Sequence, residues 1–255
     1  MAHWVGPSAS LSRRQGGILS PRIFVVYVDD LLKQLRKSGI GCHIIDQFMA
    51  AIMYADDLAL LAPTRCALQK LLDICNMYGD EWCITYNSKK TLAMVFGRSV
   101  HCSPLYLNDV PITFVTECKY LGITVATGSS GNFFAPVAKF LAGFYCASNT
   151  ILNTLSKPSE HIQMHLLYTN CVPKLTYACE VRGYSSRDMS NMDVALNDAI
   201  RKIFSFNRWE STRFLRKSFG YDSITEIFSK RNKSFIHKIQ FLDNPLLKFL
   251  RKHSL

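Results

Sequence analysis

The chain reads as an α+β region followed by an all-helical one. Three observations predict this. Short apolar runs bounded by turn residues recur between Phe48 and Val125, as strands do. From Phe133 onward the apolar residues fall at helical spacing instead. Gly128-Ser129-Ser130-Gly131 lies between the two regimes and reads as a hinge or linker. The 255 residues are 48% hydrophobic and 19% charged, which excludes a disordered chain and suffices for a buried core.

Residues 1–12 carry no pattern and are expected to be poorly ordered. Residues 13–21, RRQGGILSP, read as a Gly-rich loop. Ser20-Pro21 opens a helix, because Ser can cap a first turn and Pro suits the first helical position. Ile23, Val26, Tyr27, Leu31 and Leu35 give it an apolar face, and Ser38-Gly39 ends it. Phe48–Tyr54 and Leu58–Ala62 then read as a hairpin whose turn is Ala55-Asp56-Asp57. Leu68, Leu71, Leu72, Cys75 and Tyr78 predict a helix over 65–82. Strands are expected at Ile84–Asn87, Met94–Phe96, Tyr106–Leu107, Ile112–Phe114 and Tyr120–Val125. Helices are expected over 134–155, 159–179, 187–205 and 223–242. Pro173 should kink or split the second of them, since it lacks an N–H and crowds the preceding turn.

Nine cysteines show no Cys-x-x-Cys pair and form an odd number. That argues against a disulfide framework or structural zinc and for reduced thiols in an intracellular protein, nuclear or cytoplasmic. No apolar run resembles a signal peptide core or a transmembrane span. His161 and His165 share a helix face, but no further ligand completes a metal site with them.

The formal net charge is +11, and its location matters more than its size. Residues 201–255 hold 13 Lys or Arg against 4 Asp or Glu, whereas residues 1–200 hold 17 against 15. The basic character is therefore C-terminal. It fits a solvated helical surface and a phosphate-tracking one equally. Trp209, Phe214, Phe219, Tyr221 and Phe235 lie among these charges. They could stack on bases, although packing in a helical core is the commoner role.

Tyr-x-Asp-Asp occurs twice, as Tyr27-Val28-Asp29-Asp30 and Tyr54-Ala55-Asp56-Asp57. Asp29 and Asp30 sit in the first helix, where adjacent side chains diverge and should not face one metal. Asp56 and Asp57 sit between two apolar strands expected to be buried. Carboxylates held there suit Mg²⁺, a hard ion that prefers oxygen ligands.

The order of motifs adds a family. RQGGILSP, then YADD, then NSKKT at 87–91, then KYLG at 119–122 resembles the reverse transcriptases of non-LTR (LINE-type) retrotransposons. The resemblance is strong over residues 14–125 and weak beyond. It implies a partial polymerase palm over 13–127, a linker at 128–131, and a helical, thumb-like, basic region over 132–255. It implies a catalytic and metal-binding role for Asp56 and Asp57, with Mg²⁺ or Mn²⁺. Lys90 would neutralise or protonate the leaving pyrophosphate, with Lys89 a nearby rival. Gln15, Gly16, Ser20 and Pro21 would lie along template and nucleotide. Tyr54, Tyr120, Leu121 and Gly122 would hold the primer. The implied partners are an RNA template, a DNA primer and deoxynucleoside triphosphates.

The resemblance also implies a further Asp on a strand upstream of the Gln-Gly loop. The 14 residues before Gln15 contain neither Asp nor Glu. The chain is thus expected to be an N-terminally truncated piece of an RNA-directed DNA polymerase, which extends a primer 3′-OH by two-metal phosphoryl transfer. It is expected to be inactive alone, unless a second chain supplies the missing palm strand. The alternatives are a non-catalytic RNA- or DNA-binding remnant using the basic helices, and a remnant that does not fold.

Overall fold

A computed structural model describes residues 2–5, 20–97, 103–127, 136–153, 158–244 and 247–248; at 2–5 and 20–25 it describes the backbone alone. The chain forms two compact units, Met1–Phe134 and Ala135–Leu255.

The first unit is a mixed sheet covered by helices. Its strands run in the order β4 (Ala51–Tyr54), β5 (Asp57–Leu60), β1 (Ala2–Val5), β6 (Leu92–Ala93) and β9 (Thr113–Phe114). All neighbours are antiparallel except β6 and β9, which run parallel. Three two-stranded ribbons accompany it: β2 (His43–Ile44) with β3 (Gln47–Phe48), β7 (Tyr106–Leu107) with β8 (Val110–Pro111), and β10 (Glu117–Tyr120) with β11 (Ile123–Ala126).

β1 lies in the stretch expected to be unstructured. The sequence contains no strand signal there because the pairing partners, Asp57–Leu60, are more than fifty residues away. Its presence makes β5 an interior strand, so Leu58, Ala59 and Leu60 are all buried. β4 is only half-buried: Ala51 and Met53 pack on the core, while Ile52 and Tyr54 face solvent. The expectation that both flanks of the acidic turn are buried is corrected for β4.

Helices α1 (Ser20–Lys37) and α2 (Arg65–Trp82) pack together, and α1 also packs on β4. α1 buries Val28, Leu31 and Leu35, whereas Val26 is exposed rather than on the apolar face. In α2 the five residues named from their spacing, Leu68, Leu71, Leu72, Cys75 and Tyr78, are all buried. Each large apolar side chain removed from water stabilises by about 1.5–3 kcal/mol, so this face anchors the unit. Thr64 caps the helix by accepting from the Ala67 N–H at 3.2 Å. The Tyr78 hydroxyl donates to the Tyr27 carbonyl at 2.7 Å, and that of Tyr27 donates to the Trp82 carbonyl.

Ile84–Asn87 and Met94–Phe96 are irregular rather than strands, and Leu92–Ala93 pairs in their place. Tyr120–Val125 is not one strand either. Leu121 and Gly122 turn the chain, with φ of +47° and +80°. Two successive positive φ values give the hairpin turn that matches strand twist.

The second unit is helical: α3 (Val137–Leu152), α4 (Glu160–Leu166), α5 (Val172–Thr176), α6 (Ser186–Ile203), α7 (Arg213–Ser218) and α8 (Ile224–Phe241). Phe144, Met164, Leu167, Leu175, Leu196, Ile200 and Ile224 meet in its core. The helix expected over 159–179 is split as predicted. A π-helical turn at Leu167–Cys171 separates α4 from α5, immediately before Pro173. Pro173 cannot donate to the previous turn, and the wider π turn relieves the clash of its ring there. Ser185–Asp188 and Ser223–Glu226 form capping boxes that start α6 and α8.

Candidate active site

The acidic turn is tighter than the sequence suggests. Tyr54 pairs with Asp57 across β4 and β5, so Asp57 is the first residue of a strand and only Ala55 and Asp56 turn the chain. Ala55 holds φ +50°, a left-handed conformation that costs a side-chain-bearing residue about 1–2 kcal/mol. Asp56 stands exposed at the tip and Asp57 is half-buried. Asp57 is also the register partner of Val5. Two rigid strands thus hold the two carboxylates at one sheet end, while Tyr54 is 65% exposed beside them.

Tyr120 approaches the same place. Burial, and after it the charge of Asp57, holds its phenol above the usual value. Tyr120, on the β10–β11 ribbon, is thus near enough to feel the charge of Asp57.

Lys90 belongs to a turn built by Asn87. The Asn87 carbonyl accepts from the N–H groups of Lys90 and Thr91 at 3.1 and 3.0 Å, and its side chain accepts from Lys90 N–H at 3.2 Å. The Thr91 hydroxyl donates to the same carbonyl at 2.9 Å. The ammonium groups of Lys89 and Lys90 remain at the surface. Gln15 and Gly16 lie outside the described residues. Ser20 and Pro21 are the first two residues of α1, so Ser20 starts the helix rather than preceding it.

The other Tyr-x-Asp-Asp, Tyr27–Asp30, is helical, with Val28 buried and both carboxylates exposed. Both of its carboxylates reach one cation: Lys33 Nζ lies 2.8 Å from Asp29 and 3.0 Å from Asp30. The expected divergence of the two side chains is corrected, because Lys33 stands four and three residues on and bridges them. These acids raise the Lys33 pKa, chiefly through the hydrogen bond to Asp29.

The donor set at Asp56 and Asp57 is of the right kind for a hard cation but incomplete. Among the described residues no group of three His, Cys, Asp or Glu could hold a metal ion. β1, the strand beside Asp57, reads Ala-His-Trp-Val and brings no carboxylate. A bridged two-metal site does not fit these residues. The histidine pair is otherwise engaged: the His161 ring lies 5.4 Å from that of Phe219, and His165 Nδ1 is 3.5 Å from the Tyr221 hydroxyl. The eight described cysteines are free. Cys75, Cys118, Cys171 and Cys179 are buried, as small core residues would be, but Cys66, Cys83 and Cys146 are exposed.

Residues 9–125 match the family model described as reverse transcriptase (RNA-dependent DNA polymerase). That segment is a reverse transcriptase domain. Over 60 residues the chain is 45% identical to the Retrovirus-related Pol polyprotein from type-2 retrotransposable element R2DM of Drosophila melanogaster. This match spans 24% of the chain and 6% of that relative. No helix among the described residues is long and apolar enough to cross a membrane.

Proposed function

We propose that the chain is the metal-binding half of an RNA-directed DNA polymerase palm and does not polymerise alone. The observation that carries this reading is the pair Asp56 and Asp57 at a hairpin end with no third acid beside them among the described residues. In the complete enzyme these two carboxylates would hold Mg²⁺ or Mn²⁺. Tyr54, Tyr120, Leu121 and Gly122 would seat the primer end. Lys90 would meet the pyrophosphate, and Gln15, Gly16, Ser20 and Pro21 the template and nucleotide. An Asp-bearing strand from a second chain would have to displace β1, which occupies the edge of β5.

Primer extension on an RNA template, with Mg²⁺ or Mn²⁺, tests this. The expected result is no extension. Extension that disappears in Asp56→Ala overturns the reading.

A second reading, nucleic-acid binding through the helical unit, is favoured by a specific observation. Arg208, Arg213, Lys217, Lys233 and Lys238 are exposed on that unit rather than spent in its core. Binding that survives Asp56→Ala and weakens with salt supports it. Deleting residues 201–255 is a poor test, because Ile224 and Phe228 of α8 belong to the core.

A further inference from the structure

The fold sorts the five aromatic residues singled out among the C-terminal charges, Trp209, Phe214, Phe219, Tyr221 and Phe235. Phe219 packs 5.7 Å from Phe204. Tyr221 stacks on Tyr168 at 4.0 Å and 9°. Phe235 is half-buried. Trp209 and Phe214, by contrast, are 83% and 79% exposed. Core packing, the commoner role, does not account for these two.

Trp209 is presented rather than merely left outside. It sits in a turn with the Asn207 N–H donating to Glu210 Oε2 at 2.5 Å and the Glu210 N–H donating to the Asn207 carbonyl at 3.1 Å. Arg201 Nε donates to the Glu210 carbonyl at 3.0 Å, which ties the turn to the end of α6. The Thr212 hydroxyl donates to Asn197 Oδ1 at 2.7 Å and fixes the exit. The turn is thus ordered before any partner arrives, which removes part of the cost of binding.

Cations lie close to both rings in the sequence. Between residues 201 and 217 there are six Lys or Arg and one acid, Glu210. Arg213, Arg216 and Lys217 stand at i, i+3 and i+4 on α7 and share a face. With Tyr221, Ser223 and Glu226 they line a cleft of about 220 Å³. Glu226 is held ionised there by its capping bonds to Ser223, at 2.7 Å from the N–H and 2.9 Å from the hydroxyl. The Arg216 side chain is only 13% exposed and lies 3.7 Å from Asp193. Asp193 already accepts from the Ile224 N–H and the Thr225 hydroxyl. Arg216 Nη1 is itself buried and has no hydrogen-bond partner among the described residues, so the exposed Arg213 and Lys217 are the cations of this face that solvent reaches.

We propose that Trp209, Phe214 and the α7 cations form a binding site for single-stranded nucleic acid, with bases stacked on the two rings and phosphates drawn to the cleft. This rests on the nucleic-acid-binding reading above and adds a preference that reading lacks. Rings can stack only on unpaired bases, whereas charge alone serves a duplex as well.

The test is equilibrium binding of the full chain to a labelled 20-nucleotide oligo(dT), oligo(U), and a duplex of equal length, across salt. Single strands should bind at least tenfold more tightly than duplex and should quench tryptophan fluorescence, with the quench lost in Trp209→Phe. Trp209→Ala/Phe214→Ala should weaken single-strand binding about tenfold or more and duplex binding less than twofold, with unchanged thermal melting. Arg213→Ala/Lys217→Ala should reduce the slope of log affinity against log salt by about 1.4, at roughly 0.7 per phosphate. If no nucleic acid binds the wild-type chain, the underlying reading fails too. If single strands bind but the aromatic double variant is unaffected, only this inference fails. A self-association abolished by that variant would reassign the rings to an interface between copies and overturn the proposal.

Discussion

Tyr54 and Asp57 face each other across the β4–β5 hairpin, and Ala55 and Asp56 alone turn the chain between them. This register fixes where both carboxylates stand. It also makes Asp57, unlike Asp56, part of an interior strand flanked by β1.

The cost of that turn is measurable. Ala55 pays for its left-handed backbone, which Gly adopts freely. Ala55→Gly should raise stability by about 0.5–1 kcal/mol after allowing for the freer unfolded chain. Urea denaturation reads the change, and a loss of stability would contradict the geometry.

The incomplete donor set predicts weak metal binding. Two carboxylates without a third ligand should hold Mn²⁺ only on the order of millimolar. Water-proton relaxation during a Mn²⁺ titration measures this, with Asp56→Asn weakening it further. Micromolar affinity abolished by Asp56→Asn would mean that an acid absent from the described residues completes the site.

Gly41 holds the loop before β2 against the hairpin. Its φ is +108°, and an added Cβ would stand 2.2 Å from the Ala50 Cβ and 2.9 Å from the Leu61 carbonyl oxygen. Neither the backbone nor the buried Ala50 can step aside cheaply. Gly41→Ala should destabilise by about 3 kcal/mol or more, from overpacking plus backbone strain. Thermal unfolding checks it, and an unchanged Tm would place the loop elsewhere.

In the helical unit Arg231 joins α8 to the end of α5. Its Nη2 lies 2.7 Å from Glu180, and its Nη1 donates to the Thr176 carbonyl at 2.9 Å. Burial pushes the Glu180 carboxyl up, but a backbone hydrogen bond and Arg231 together bring it below the usual value of 4.5. A carboxylate depressed by folding adds stability above its unfolded pKa. That contribution is lost as pH falls through the folded value. Stability should therefore drop below pH 4.5, and Glu180→Gln should flatten that part of the profile while lowering stability at pH 7. Denaturation midpoints between pH 3 and 7 read both effects. An identical profile in the variant would remove Glu180 from the account.

Much of this was legible from local pattern. Leu68, Leu71, Leu72, Cys75 and Tyr78 identify α2 because a helix repeats every 3.6 residues, and a helix buried on one side must show that period. Pro173 marks the break between α4 and α5 because its missing N–H acts on its own turn. The two Tyr-x-Asp-Asp sequences are separable for the same reason, since one lies in a helical pattern and the other between apolar runs.

Contacts distant in sequence were not legible. Nothing in Ala2–Val5 announces a strand, because its hydrogen-bond partners lie on β5 and β6. Val26 fits the helical period but stands in water, while Val28 is buried, because the packing of α1 sets the direction of its face. Trp209 and Phe214 share their composition with Phe219 and Tyr221. Only the fold divides them, by giving two of the rings partners and leaving two outside. The sequence by itself determined the motifs, their order and the elements that carry them, since those follow from residue type and local spacing. Tertiary structure decided which side chains are exposed at those places and which strand lies beside Asp57. Burial and strand pairing depend on residues far apart in the chain.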